Sequence, residues 1–264
     1  MKEQSRQKEL SIIKIGGNVI ENEEKLKEFL ELFAQRSGPK ILVHGGGKSA
    51  TELGEKLGIP MPMIGGRRIT DSKSLELVIM VYAGKINKRI VASLQARKCN
   101  AIGLSGADGD AIFAHKRPVT AIDYGFAGDV DGVNTATISA LLEAQLVPVF
   151  CALTHDRGGQ LLNTNADTIA AEIAVGMSKE YKTTLYYCFE KKGVLEDIED
   201  EDSVILQINS RSYQELLDKK IIADGMLPKL KNCFDALQRD VHKVCIGDMN
   251  MLQPKASHFT TISL

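Results

Sequence analysis

The sequence predicts an α/β fold, a three-layer αβα sandwich around a mainly parallel sheet. Three observations carry this: short β-branched runs recur along the chain, longer amphipathic stretches separate them, and glycine clusters follow the first two runs. Strands buried on both faces read as continuous apolar runs rather than alternating ones. Leu10 to Ile15, Ile41 to Val43, Ala101 to Leu104, Val147 to Phe150, Thr183 to Tyr187 and Val244 to Ile246 have that character. The clearest helical stretch carries Leu75, Val78, Ile79, Tyr82, Ile86, Ile90, Val91 and Leu94 on one face, with Asp71 or Ser72 as its cap.

Two segments interrupt the alternation. Residues 59 to 70 hold Pro60, Pro62 and Gly65–Gly66, and residues 113 to 130 hold Pro118, Gly125 and Gly128; both read as projecting hairpins. Hairpins beside a parallel sheet are where a pocket is often finished. The substrate side is therefore expected in the N-terminal part, about 1–153, and the nucleotide side in about 154–264. No repeat, low-complexity segment or Pro/Ser-rich linker justifies a sharper cut, so 1–264 reads as a single domain.

Composition narrows the function. Basic and acidic residues number 33 and 34, a formal net charge of -1, which leaves no basic surplus for nucleic acid. The acidic stretch Glu196, Asp197, Glu199, Asp200, Glu201, Asp202 reads as a solvated loop rather than a metal site. Cys99, Cys151, Cys188, Cys233 and Cys245 lack a C-x-x-C pair, which argues against a disulfide framework and a structural zinc. Cys151 and Cys188 lie in apolar runs as small hydrophobes. The polar start has no signal-peptide character, and no apolar stretch is long enough to cross a bilayer. A reduced, soluble, cytoplasmic protein is expected.

Chemistry concentrates in five places. Lys14 stands inside an apolar run that ends in Gly16-Gly17, and a lysine there is costly without an anion. His44-Gly45-Gly46-Gly47-Lys48 repeats the device at a helix start, where backbone amides make an anion site. The spacing fits neither the P-loop nor the dinucleotide fingerprint, and His44 reads as a structural histidine rather than a base. Gly66-Arg67-Arg68-Ile69-Thr70 presents guanidinium forks, which take carboxylates bidentately, or else two solvated arginines. Asn163-Thr164-Asn165-Ala166-Asp167 opens a helix with more polar groups than a cap requires. Asp224-Gly225-Met226-Leu227-Pro228-Lys229 enters a helix with a cation at its positive end, an arrangement that suits an anionic ligand.

In this order, the five segments resemble those of the amino acid kinase family, spanning Lys14 to Lys229. The arginine loop and the Asn-x-Asn-Ala-Asp segment favour a member acting on the side-chain carboxylate of N-acetylglutamate, in arginine biosynthesis, over carbamate, uridylate or aspartate kinases. Alternatives are a kinase for a different N-acyl-glutamate, or a non-catalytic nucleotide- or anion-binding module on the same fold. The resemblance implies that Lys14 and Lys229 stabilise the transferring phosphoryl group and that Asp167 positions both. Gly16, Gly17, Gly46 and Gly47 would offer N–H groups to phosphates, with Gly46 and Gly47 also near the substrate. Arg68, Asn163 and Asn165 would contact the amino acid. ATP is the implied cosubstrate, with Mg²⁺ carried in on it and no protein metal cage. Where the family carries an aspartate-containing loop, this chain has Cys188-Phe189-Glu190-Lys191-Lys192-Gly193. Lys191 and Lys192 there either meet the nucleotide or are solvated. The short lead before the first strand implies a homodimer insensitive to arginine, with no nucleic-acid or membrane partner.

Overall fold

The computed structural model describes residues 7–218 and 226–264. Its centre is an eight-stranded sheet in which all six runs anticipated above are strands. These are β1 (Glu9–Ile15), β2 (Lys40–His44), β5 (Ala101–Leu104), β8 (Val147–Cys151), β11 (Lys182–Cys188) and β13 (Lys243–Gly247). The order is β12-β14-β13-β11-β1-β2-β8-β5, with β12 (Gln207–Ile208) and β14 (Thr260–Ile262) completing one edge. The pairs from β13 through to β5 are parallel, and only β13–β14 is antiparallel.

The helices include α1 (Gly17–Glu21), α2 (Glu23–Gln35), α3 (Gly47–Leu57), α4 (Ser72–Ile79), α5 (Asn87–Gln95), α6 (Thr135–Glu143), α7 (Ala166–Met177), α8 (Ser210–Asp218) and α9 (Leu227–Gln238). Helix α2 shows why such segments form. The Asn22 side chain accepts from the Lys25 N–H, Glu23 and Glu24 sit at the positive end, and Leu26, Phe29, Leu30 and Phe33 bury one face. The Asp71 side chain caps α4 by accepting from the Ser74 N–H at 2.7 Å. The helical face foreseen from Leu75 to Leu94 exists, but a π-helical turn over Met80–Ile86 joins α4 to α5.

Chain direction places the layers. From β1 to β2 the chain steps one way along the sheet, and from β11 to β13 it steps the other way. Right-handed crossovers then put the connecting helices on opposite faces. Accordingly α2 packs with α5, whereas α7 packs with α9 and across β1, β2 and β11. The reversal falls between β1 and β11, and in such sheets ligands collect beyond the carboxyl ends of the strands at that point. Phe29, Phe33, Phe150 and Ile12 fill the core.

The second hairpin grows into something the sequence did not announce. Strands β6 (Ile112–Lys116) and β7 (Gly128–Val133) join β9 (Leu153–His155) and β10 (Leu161–Asn163) in a separate four-stranded sheet. The first is a two-residue ladder, β3 (Met63–Ile64) with β4 (Arg67–Arg68). The described cysteines are all free and buried, and burial pushes the Cys151 and Cys188 thiols up to about 12. The acidic stretch is exposed at Glu201 and Asp202, which pair with Lys191 and Lys192 at 2.8 and 2.5 Å.

Candidate active site

Two adjoining groups of residues occupy the carboxyl ends of the central strands. The first forms at the switch point. Lys14, one residue from the end of β1, places its Nζ 2.7 Å from Asp167 Oδ1, with the two side chains 15% and 22% exposed. Asp167 lies in the first turn of α7, and the Tyr187 hydroxyl of β11 donates to its carbonyl at 3.1 Å. Lys229, in the first turn of α9, sits with its Nζ 5.1 Å from the centre of the Phe189 ring. Burial pushes the Asp167 carboxyl up, but the charges of Lys14 and Lys229 and the Lys14 hydrogen bond outweigh it. The group is held below the ordinary aspartate range. Lys14 thus pairs directly with one ionised acid, and Lys229, 215 positions further along the chain, adds its charge to the same carboxylate. Asp224 and Gly225, the other half of the Lys229 segment, lie outside the described residues.

The glycine turns differ in what they offer. The Gly16 N–H donates to the Cys188 carbonyl at 2.9 Å, so it is committed to joining β1 to the loop after β11. The expectation that Gly16 meets a phosphate through that N–H therefore passes to Gly17, which opens α1 and has free space where a Cβ would stand. Gly46 and Gly47 open α3, so their N–H groups have no intrahelical partner. A Cβ on Gly46 would come within 2.5 Å of Ile86 and 2.8 Å of Tyr82, both from the π-helical turn. Only glycine lets that turn pack against the loop.

The second group encloses a cavity of about 190 Å³. Gly46, Gly47, Arg68, Asn163 and Asn165 line it as anticipated, and Arg67, Tyr82 and Arg117 join them. Arg68 is 6% exposed; its Nη1 donates to the Met61 carbonyl and its Nη2 to the Gly47 carbonyl and Thr51 Oγ1, at 2.8–2.9 Å. The Tyr82 hydroxyl also interacts with this guanidinium. The Asn163 Nδ2 donates to Thr70 Oγ1 at 3.0 Å. Thr70 also pairs through its backbone with Tyr124 and Phe126, stitching the arginine loop to the β6–β7 hairpin. Asn165 serves as the α7 cap, its Oδ1 accepting from the N–H groups of Asp167 and Thr168, so only its Nδ2 is left for the cavity. Lys191 and Lys192 are not in this group. They stand on the loop after β11, held by Glu201 and Asp202.

His44 is fully buried. Its Nδ1–H donates to the Gly45 carbonyl at 2.7 Å while Nε2 accepts from Asn87 Nδ2 at 3.1 Å, a neutral tautomer fixed on both sides. Desolvation lowers its pKa to about 4, which suits a structural residue. Sequence reasoning missed Arg117 and Tyr82. Arg117 stands in a hairpin with no local signal beyond its own charge, and Tyr82 reads as one more apolar position on a helical face.

The arrangement can bind two different anions side by side. One is a small acid among guanidinium groups; the other is a phosphate chain between glycine turns and paired ammonium groups. Residues 9–248 match the amino acid kinase family. Acetylglutamate kinase of Bacteroides fragilis is 51% identical over 246 residues, covering 93% of this chain and 94% of its own. That of Cytophaga hutchinsonii is 52% identical over 238 residues, 90% of each. A solved structure of Streptococcus mutans UA159, smu.665, superposes with TM-score 0.75 at 26% identity, covering 96% of this chain and 98% of that one. A match running from the first strand to just past β13 makes the chain a member of the amino acid kinase family.

Proposed function

We propose that the chain is an acetylglutamate kinase. It moves the γ-phosphoryl group of ATP to the side-chain carboxylate of N-acetyl-L-glutamate, releasing ADP and the acyl phosphate used in arginine biosynthesis. The single observation that carries this is the Lys14–Asp167 ion pair, with the charge of Lys229 acting on the same carboxylate, at the switch point beside an arginine-lined cavity.

A glutamate side-chain carboxylate titrates near ~4.3, so the nucleophile is ionised at neutral pH and needs no base. The obstacle is bringing an anion against a polyanion. A loose phosphoryl transition state is helped by positioning and by fixed positive charge. Lys14 and Lys229 supply that charge, and Asp167 keeps two cations close without prohibitive repulsion. Gly17, Gly46 and Gly47 add N–H donors. Arg68, with Asn163 and the Asn165 Nδ2, holds the α-carboxylate end and so turns the side chain toward Lys14. Mg²⁺ arrives as part of the nucleotide substrate. Lys191 and Lys192 exchange their present acidic partners for nucleotide phosphate or ribose oxygens.

On this reading residues of about 1–153 form the acyl-amino-acid lobe and about 154–264 the nucleotide lobe, although Asn163 and Asn165 reach across. The active form is a cytoplasmic homodimer; no described helix is long and apolar enough to cross a membrane. The test is coupled ADP release from ATP with N-acetyl-L-glutamate. Turnover that depends on both substrates supports the reading, and ATP binding without turnover removes it.

A further inference from the structure

Helix α1 has five residues, too few to be stable through its own hydrogen bonds, so its position is set by what holds it. Near its start the Asn18 side chain donates to Glu190 on the loop after β11. Near its end Arg89 Nη2, from α5, donates to the Ile20 carbonyl at 2.9 Å. Its last residue, Glu21, reaches α3. Glu21 Oε1 accepts from the Ser49 N–H at 3.0 Å and from the Ser49 hydroxyl at 2.8 Å, and Oε2 lies 2.9 Å from the same hydroxyl. Ser49 is buried, so these bonds are shielded from water.

Glu21 thereby caps α3 from outside the helix. The residue before α3 is Gly46, which has no side chain to cap with. Ser49 is the third residue of α3, one whose N–H a cap side chain ordinarily takes. With that donor satisfied by Glu21, the N–H groups of Gly46, Gly47 and Lys48 remain without an intrahelical partner. The same contact joins the turn after β1 to the turn after β2. These strands are neighbours in register, Ile15 opposite His44, so the two turns start side by side. Strand pairing fixes one end of that junction, and Glu21 on Ser49 fixes the other.

We propose that Glu21 is a positioning residue for phosphoryl transfer: seated on Ser49, its carboxylate holds α1 and α3 at a set distance, so that the N–H groups of Gly17 and Gly47 act on one phosphoryl group. The inference rests on the acyl-glutamate kinase reading and adds to it a residue that acts only through the two glycine turns. Either substrate can bind against one turn, whereas transfer needs both turns at once. Loss of the contact therefore falls on the transfer step.

The experiment measures ADP release by the full chain with ATP and N-acetyl-L-glutamate, varying each in turn. Glu21→Ala should lower kcat by about 10- to 100-fold, the scale of a displacement of about 1 Å, with both KM values within about threefold of wild type. Glu21→Gln keeps an acceptor for the Ser49 N–H and a polar partner for the hydroxyl, so it should restore kcat to within about threefold. Ser49→Ala keeps the backbone bond and should lower kcat by about threefold, again at constant KM. The double variant Glu21→Ala, Ser49→Ala should be no slower than Glu21→Ala, because the two residues act as one contact. Full kcat in Glu21→Ala overturns the inference, as does a raised KM with kcat intact. A Glu21→Gln variant as slow as Glu21→Ala would assign the effect to charge and overturn it too. Should Glu21→Ala fail to fold, Ser49→Ala decides, and full kcat there is fatal to the proposal. A wild-type chain that releases no ADP would instead bring down the kinase reading, and this role with it.

Discussion

Replacing Lys14 by methionine removes the charge and keeps the aliphatic length. It leaves Asp167 with Lys229 as its remaining cation. Stranding a buried charge costs about 3–5 kcal/mol. Here the pair is 15% and 22% exposed and Lys229 still serves Asp167, so the loss should be about 2–3 kcal/mol. For a chain of this size that corresponds to roughly 5–10 °C in Tm. The effect on turnover is larger. A positioned group that stabilises developing charge in the transition state is worth about 10²–10³ in kcat. The ADP-release assay at saturating ATP should show that fall, with a much smaller change in KM for acetylglutamate. The double variant Lys14→Met, Asp167→Asn separates the two effects, because an amide needs no counter-charge. It should regain most of the lost Tm and none of the lost kcat. A single variant with normal kcat and a raised KM would show that Lys14 only binds substrate. A double variant that regains turnover would show that its charge acts through stability alone.

Three further outcomes follow from the geometry. Gly46→Ala drives a Cβ to 2.5 Å from Ile86 and should cost about 1–3 kcal/mol in urea unfolding, whereas Gly17→Ala, in open space, should cost none. His44 is neutral in the fold with a pKa of about 4, while the unfolded chain takes a proton at ~6.5. Its contribution is complete above the unfolded value and is lost as pH falls toward 4, about 3 kcal/mol in all. His44→Gln should flatten the dependence of unfolding free energy on pH in that window. Asn165→Ala removes the α7 cap and should cost about 1 kcal/mol and lower kcat by shifting Asp167, whereas Asn165→Ser should retain most of both. Equal Tm values for the two Asn165 variants would mean that the cap is not what places the helix.

Six of the eight strands of the central sheet are legible in local composition, because a strand covered on both faces must be apolar throughout and therefore announces itself. The sequence also marked the glycine turns, Arg68 and the Asn163–Asp167 segment, since a lysine in an apolar run or a triple glycine at a strand end has a cost that a local reading detects. The four-stranded side sheet was out of reach because β9 and β10 have three residues each and are held by pairing with distant segments. So were the edge strands β12 and β14. The π-helical turn carries the same apolar spacing as its neighbours, and what it does depends on Tyr82 and Ile86 meeting Gly46. The Lys14–Asp167 pair was implied by the resemblance but by nothing local to either residue, and the folded chain also committed the Gly16 N–H to Cys188 and brought Arg117 to the cavity. Burial cost is local and leaves a trace in composition, whereas the meeting of charges far apart in the chain is set by the crossovers that place their strands and helices side by side.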